Sequence, residues 1–202
     1  MQRTRSEKSR RLVLDAALRL FAESGFRATT VRDIAEKARV SIGNVYHHFA
    51  DKEEIFRTLL DEFADVVDSR RFPFRRALGT GRFPDNLEAL GFATRDSIAE
   101  YRLYFRLIYV DVVEFEGTHV RNFYGGLAKR FANIVATDGA LTNIESRLRP
   151  GVSPVSALLL VSRFFFSYFT IEMVFNVPEP FGKDSATVVK ETAEMLRKGI
   201  GA

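Results

Sequence analysis

Two helix starts, Thr30 and Ser41, stand so close together that neither of the helices they open has room for more than about two turns. Helices that short are not stable alone in water, because nucleation fixes several residues for a single hydrogen bond. Longer helices on either side must hold the pair, and the sequence supplies both. In SEKSRRLVLDAALRLFAESGF the apolar residues Val13, Ala16, Ala17, Leu20 and Phe21 recur with the spacing of one helix face, and Gly25 provides a stop. Downstream, Asp51 with Glu54 opens a helix that runs through Ile55, Leu59, Phe63 and Val67. Within the pair, Asp33 answers Thr30 as a capping-box variant, and Val31, Ile34, Ala35 and Ala38 face inward.

Two short helices with a tight turn between them have the order of a helix-turn-helix, whose second member lies in a DNA major groove. On a wheel of about 100° per residue, Val45 and Phe49 point one way with Ile42 near them, whereas Gly43, Asn44 and His47 point the other. Glycine leaves room for close approach, asparagine can read a base edge, and tyrosine and histidine can reach phosphates. Lys52 begins the next helix, where a cation opposes the macrodipole unless a phosphate is near. A side chain in water, at a cost of a few tenths of a kcal/mol, is the plainer alternative. The charge distribution agrees with a polyanionic partner. Residues 1–52 hold 11 Lys and Arg against 6 Asp and Glu, and the remainder holds 19 against 20. Charge alone does not separate this from an ordinary solvated basic arm.

TTVRDIAEKARVSIGNVYHHFADKEEIF closely resembles the DNA-binding domain of the TetR family of bacterial transcriptional regulators. Thr30, Val40, Ser41, Gly43, Val45, Tyr46, His48, Phe49, Lys52 and Glu53 fill the typed positions of its signature. The resemblance runs at motif level from about Leu12 to Leu60. It implies that Thr30, Tyr46, His47 and Lys52 contact phosphates, that Ile42, Gly43 and Asn44 face bases, and that Arg32 reaches DNA from the preceding helix. Ser41, at the head of the reading helix, belongs to the same set. Where many relatives carry glycine in the turn, this chain has Arg39, which is strained if its φ is positive and can equally add a phosphate contact. His48 lies between the two faces and is expected to pack inward.

The rest of the chain reads as helical: from about Asn86 with a continuation or restart near Tyr101, from about Thr118 to Ala136, from Ser153 and Pro154 to about Asn176, and from Asp184 to Lys198. RRFPFRRALGTGRFPDN is the clearest interruption, and TDGALTNIESRLRPGVSP is a long connection. The expected fold is all-α: an N-terminal three-helix DNA-binding domain over 1–52, joined by a long helix to a helical regulatory and dimerisation domain over 53–202. The resemblance implies double-stranded operator DNA and a small-molecule effector as partners, and a homodimer through the helices at about 153–176 and 184–198.

Asp111 shares a helix face with Tyr104, Leu107, Ile108 and Phe115, and a carboxylate on an apolar face must be paired or protonated. It either pairs with Arg163 or meets the polar group of a ligand in a cavity lined by Phe105, Tyr109, Phe164 and Tyr168. An Asp111 that reaches the surface or sits in a structural ion pair is the plainer alternative. The 19 phenylalanines suit a mainly apolar ligand and suit a plain core equally well.

Other chemistries find little support. With no cysteine, and with three histidines of which His47 and His48 are adjacent and His119 stands alone, there is no metal-ligand set, no nucleophile and base pair, and no phosphate loop, so neither enzyme activity nor a cofactor is expected. Arg163 in the middle of SPVSALLLVSRFFFSYFTIEMVFN argues against a membrane span. The charged N-terminus does not read as a secretory signal, which makes the cytoplasm the default. A non-specific, architectural DNA-binding protein without an effector is the remaining alternative to a regulator.

Overall fold

The computed structural model describes residues 5–201. Among them the secondary structure is helical, and an isolated bridge pairs Leu148 with Gly201. The helices are α1 (Arg5–Ser24), α2 (Val31–Ala38), α3 (Ile42–His48), α4 (Lys52–Asp68), α5 (Pro73–Leu78), α6 (Leu87–Glu100), α7 (Arg102–Glu114), α8 (Val120–Gly125), α9 (Leu127–Thr137), α10 (Pro154–Phe169) and α11 (Ser185–Ile200). The all-α class holds, and most helix starts fall where the caps placed them.

Three departures have local reasons. The interruption after α4 contains the short helix α5, whose first turn tolerates Pro73 because that position needs no N–H, and which buries Phe74 and Leu78. The single helix expected near 118–136 is two, α8 and α9, divided at Gly126, where two successive glycines each disfavour helix by about 1 kcal/mol. α10 does not continue unchanged to Asn176 but passes into a π-helical turn, Thr170–Val174.

The chain forms two compact units. The first takes residues up to Asp65 together with Leu103–Phe123; the second takes Val66–Arg102 with the remainder from Tyr124. In the first unit α1, α2, α3 and α4 surround a core of Val13, Leu14, Ala17, Phe21, Ile34, Val45, Ile55, Phe56 and Leu59. Leu107 of α7 is wholly buried in that same core. α7 is thus part of the first unit, beyond the division at 52 that sequence alone suggests.

The second unit is built around α6, which packs on α5, α10 and α11. Gly91 explains how closely: a Cβ there would stand 2.7 Å from Val189 Cγ1 of α11 and 3.0 Å from Phe165 Cε1 of α10. Asp138 fastens the loop after α9, with 1% of its side chain exposed, by accepting from Arg75 at 2.7 Å and from Arg70 at 3.2 Å. Burial alone would raise the Asp138 pKa. The hydrogen bonds from Arg75 and the Ala140 N–H, with the two arginine charges, hold it below the usual carboxylate value instead. Pro154–Val174 has the length and apolarity of a membrane span, but its Leu158, Val161, Phe165 and Phe169 are core residues of this unit.

Candidate nucleic-acid interface

The geometry of α2 is set by its two ends. Thr30 caps it with a reciprocal box: the Asp33 N–H donates to Thr30 Oγ1 at 3.1 Å, and the Thr30 N–H donates to Asp33 Oδ2 at 2.8 Å. The side-chain bond from Thr30, then its backbone N–H, hold the Asp33 pKa below its ordinary value. At the other end Arg39 sits at φ 56°, ψ 44°, so the left-handed turn that favours glycine is made here by an arginine at a cost of about 1 kcal/mol. Ser41 then caps α3 by accepting from the Asn44 N–H at 3.1 Å.

α3 divides its residues between core and solvent. Val45 and Phe49 are buried, while Ser41, Gly43, Tyr46 and His47 are exposed. Ile42, which the wheel puts near Val45, is exposed as well, on the side where the family resemblance puts base contacts. Nothing inside the fold requires glycine at 43: a Cβ there would meet only Ser41 Oγ, at 3.9 Å. Asn44 is half-buried, and its Oδ1 is buried without a hydrogen-bond partner among the described residues. Arg32 of α2 is exposed, as is Thr30 beside it.

His48 packs as expected, with Nε2 2.7 Å from Ser9 Oγ of α1. Burial, then the His47 and Arg10 charges, push its pKa down, which favours the neutral ring at neutral pH.

Lys52 has partners inside the fold. Its ammonium donates to the carbonyls of Phe26 and Thr29, both at 2.7 Å, and lies 4.1 Å from the centre of the Phe26 ring. The cation that looked misplaced at a helix start is stabilised from within, because the turn after α1 turns carbonyl oxygens towards it. Burial pushes the Lys52 pKa down, against the attraction of Glu114 and Asp33. Two of its three N–H bonds are therefore committed to the fold.

Asp111 finds its partners within the first unit, and Arg163 belongs to the second. Asp111 is wholly buried, with Oδ1 2.6 Å from His119 Nδ1 and Oδ2 accepting from the Val120 N–H at 3.0 Å. His119, which has no partner evident in the sequence, also places Nε2 3.6 Å from Glu53 Oε1. Asp111 is the structural pair of the plainer alternative. Arg163 is exposed and lies over the Tyr124 ring, 5.1 Å from its centre. Phe105 and Tyr109 belong with Asp111 to the first unit, where Phe105 meets Phe63 edge-on at 5.4 Å. Phe164 and Tyr168 belong to the second unit and stack in parallel, with Phe181 edge-on to both. The Tyr168 hydroxyl is buried without a hydrogen-bond partner among the described residues, and its pKa is pushed up to about 12 by burial, then by Glu172, Asp184 and Glu179.

Glu114, at the end of α7, is a residue that periodicity gave no reason to single out. Its carboxylate accepts from the backbone N–H groups of Phe26 and Arg27, 88 and 87 residues away in sequence.

Residues 13–59 match the family described as bacterial regulatory proteins, tetR family. Over 75 residues the chain is 47% identical to the HTH-type transcriptional repressor KstR2 of Mycobacterium tuberculosis (strain ATCC 25618 / H37Rv), a match covering 33% of this chain and 38% of that protein. The matched part therefore spans well under half of this relative. Among solved structures, a chain from Mesorhizobium loti MAFF303099 assigned to the TetR family of transcriptional regulators superposes with a TM-score of 0.70 at 22% identity, covering 99% of this chain and 100% of that one. The ketosteroid transcriptional regulator KstR2 of Mycobacterium tuberculosis does so with a TM-score of 0.60 at 22% identity, covering 100% and 97%. The fold is thus shared along the whole chain, and sequence identity is concentrated in a minor part of it.

Proposed function

We infer that this chain, whose N-terminal domain belongs to the bacterial TetR regulatory family, is a cytoplasmic, ligand-responsive transcriptional repressor that binds palindromic operator DNA as a homodimer. The observation that carries this is the outward face of α3. Ile42, Gly43, Tyr46 and His47 are presented to solvent, although the fold makes no use of glycine at 43. Thr30 and Arg32 are exposed at the start of α2. Such a face lets a helix lie against base edges while its flanks meet phosphates.

The homodimer draws support from the second unit, where Leu160, Phe175, Val177, Phe181 and Met195 on and between α10 and α11 are exposed apolar side chains. The effector is a small, mainly apolar molecule; the description of KstR2 as a ketosteroid regulator is compatible with that class. An effector can weaken DNA binding only by its differential affinity for the conformation that does not bind.

The test is enrichment of duplexes from a random-sequence library by the full-length protein, followed by competition with excess random DNA. A regulator keeps its hold on the enriched duplex, and Asn44→Ala shifts which sequence is enriched. Random DNA that competes equally well would leave only the architectural, non-specific binder.

A further inference from the structure

The segment joining α1 to α2 is short of helical hydrogen bonds and is clamped from two sides. Gly25 opens it at φ 87°, and Thr29 Oγ1 returns to the Gly25 carbonyl at 2.8 Å. From one side Lys52 binds the carbonyls of Phe26 and Thr29. From the other, Glu114 Oε1 accepts from the Phe26 N–H at 2.9 Å and Oε2 from the Arg27 N–H at 2.7 Å, with 15% of its side chain exposed. The fit is close: a Cβ on residue 25 would stand 2.6 Å from Glu114 Oε1, so a side chain there would displace that carboxylate, and φ 87° itself favours glycine. Phe26 is fixed in turn by the rings of Phe21, Phe56 and Phe115.

This clamped turn ends at Thr30, the cap of α2, and so sets where α2 begins. Glu114 is carried by α7, whose chain enters from residues of the second unit and returns to them. We propose that Glu114 is a positioning residue for DNA binding: by holding the Phe26 and Arg27 amides it places Thr30 and Arg32 against the phosphate backbone, and it makes that placement depend on residues 103–123. The proposal rests on the DNA-binding function inferred above. It gives α7 control over where α2 begins.

Glu114→Gln tests it, because two effects of the change have opposite signs. Removing a negative charge near a polyanion should tighten binding; losing the clamp should weaken it, since an amide oxygen accepts more weakly and the NH2 end would face the second N–H. The full-length wild type and variant are titrated with the duplex enriched by the wild type, over a range of salt. The active fraction is counted separately by stoichiometric titration, and hydrogen exchange is followed at Phe26 and Arg27.

The expected result is affinity about tenfold weaker, the worth of one charge-assisted hydrogen bond, a salt slope shallower by about one phosphate contact, and faster exchange at the two amides. Equal or tighter binding overturns the proposal. So does a lowered active fraction with an unchanged salt slope, which marks a merely structural role. A wild type that enriches no duplex overturns the DNA-binding function and this proposal with it; a binding wild type with an indistinguishable variant overturns this proposal alone.

Discussion

Two exposed faces, one in each unit, are built from different side chains: that of α2 and α3 in the first, and that of α10 and α11 in the second. On the first, Thr30, Arg32, Gly43 and His47 stand outward with Ile42 and Tyr46 among them, and Val45 and Phe49 are kept inside. On the second, α10, α11 and the segment between them leave Leu160, Phe175, Val177, Phe181 and Met195 outside, while Asp138 and its arginine partner Arg75 are drawn in. A hydrated polyanion is met by polar groups that the fold leaves available, and a protein or apolar partner by area that water disfavours. The two faces thus differ in the chemistry they offer to a partner.

The largest effect should come from the apolar surface. Leu160→Glu combined with Met195→Glu is expected to leave a monomer at micromolar protein in sedimentation, and to weaken the enriched duplex by about 100-fold or more, because two half-sites are no longer bound by one linked molecule. A wild type that is itself monomeric would break the comparison at its second term.

Asp138→Asn comes next and reads the interior of the second unit. Loss of charge-assisted bonds to Arg75 and Arg70 should cost about 2–3 kcal/mol in urea unfolding at pH 7. The carboxyl pKa is depressed in the folded state, so its contribution is present above the unfolded value near 3.9 and is lost as pH falls through the folded value. The variant should therefore converge on the wild type in acid, below that window. A constant gap at all pH values would mean that the charge is not what the arginines hold.

The smallest of the three sharpens the first unit. Lys52→Ala should lower stability by about 2 kcal/mol through its two carbonyl contacts while leaving the salt slope of duplex binding unchanged. A slope reduced by about one would return Lys52 to the phosphates.

Where the structure followed expectation, the deciding interaction spans about one turn of chain. Thr30 with Asp33, Ser41 ahead of Asn44, Ser153 ahead of Ser156 and Asp184 ahead of Thr187 each cap a helix with a partner three residues away. The inward stripe of α1 was legible for the same reason, since periodicity is a local property. Asp111 shows the limit. Its wheel position required a partner, but a wheel cannot choose between His119, which reaches it across the turn after α7, and Arg163, which belongs to the second unit. Lys52 was conspicuous for opposing a helix dipole, yet the carbonyls that resolve the conflict lie on a segment 23 and 26 residues earlier.

Most helices, the caps at Thr30, Ser41, Ser153 and Asp184, and the make-up of the face that α3 presents could be read from side-chain types at fixed spacing along one element; α5, the break between α8 and α9 and the π-helical turn after α10 could not. Only the tertiary structure decided that α7 joins the core of the first unit, that Glu114 and Lys52 hold the turn before α2 from two sides, and that Asp111 belongs to His119. Such contacts depend on where distant segments come to rest, and that is set by the packing of the whole unit.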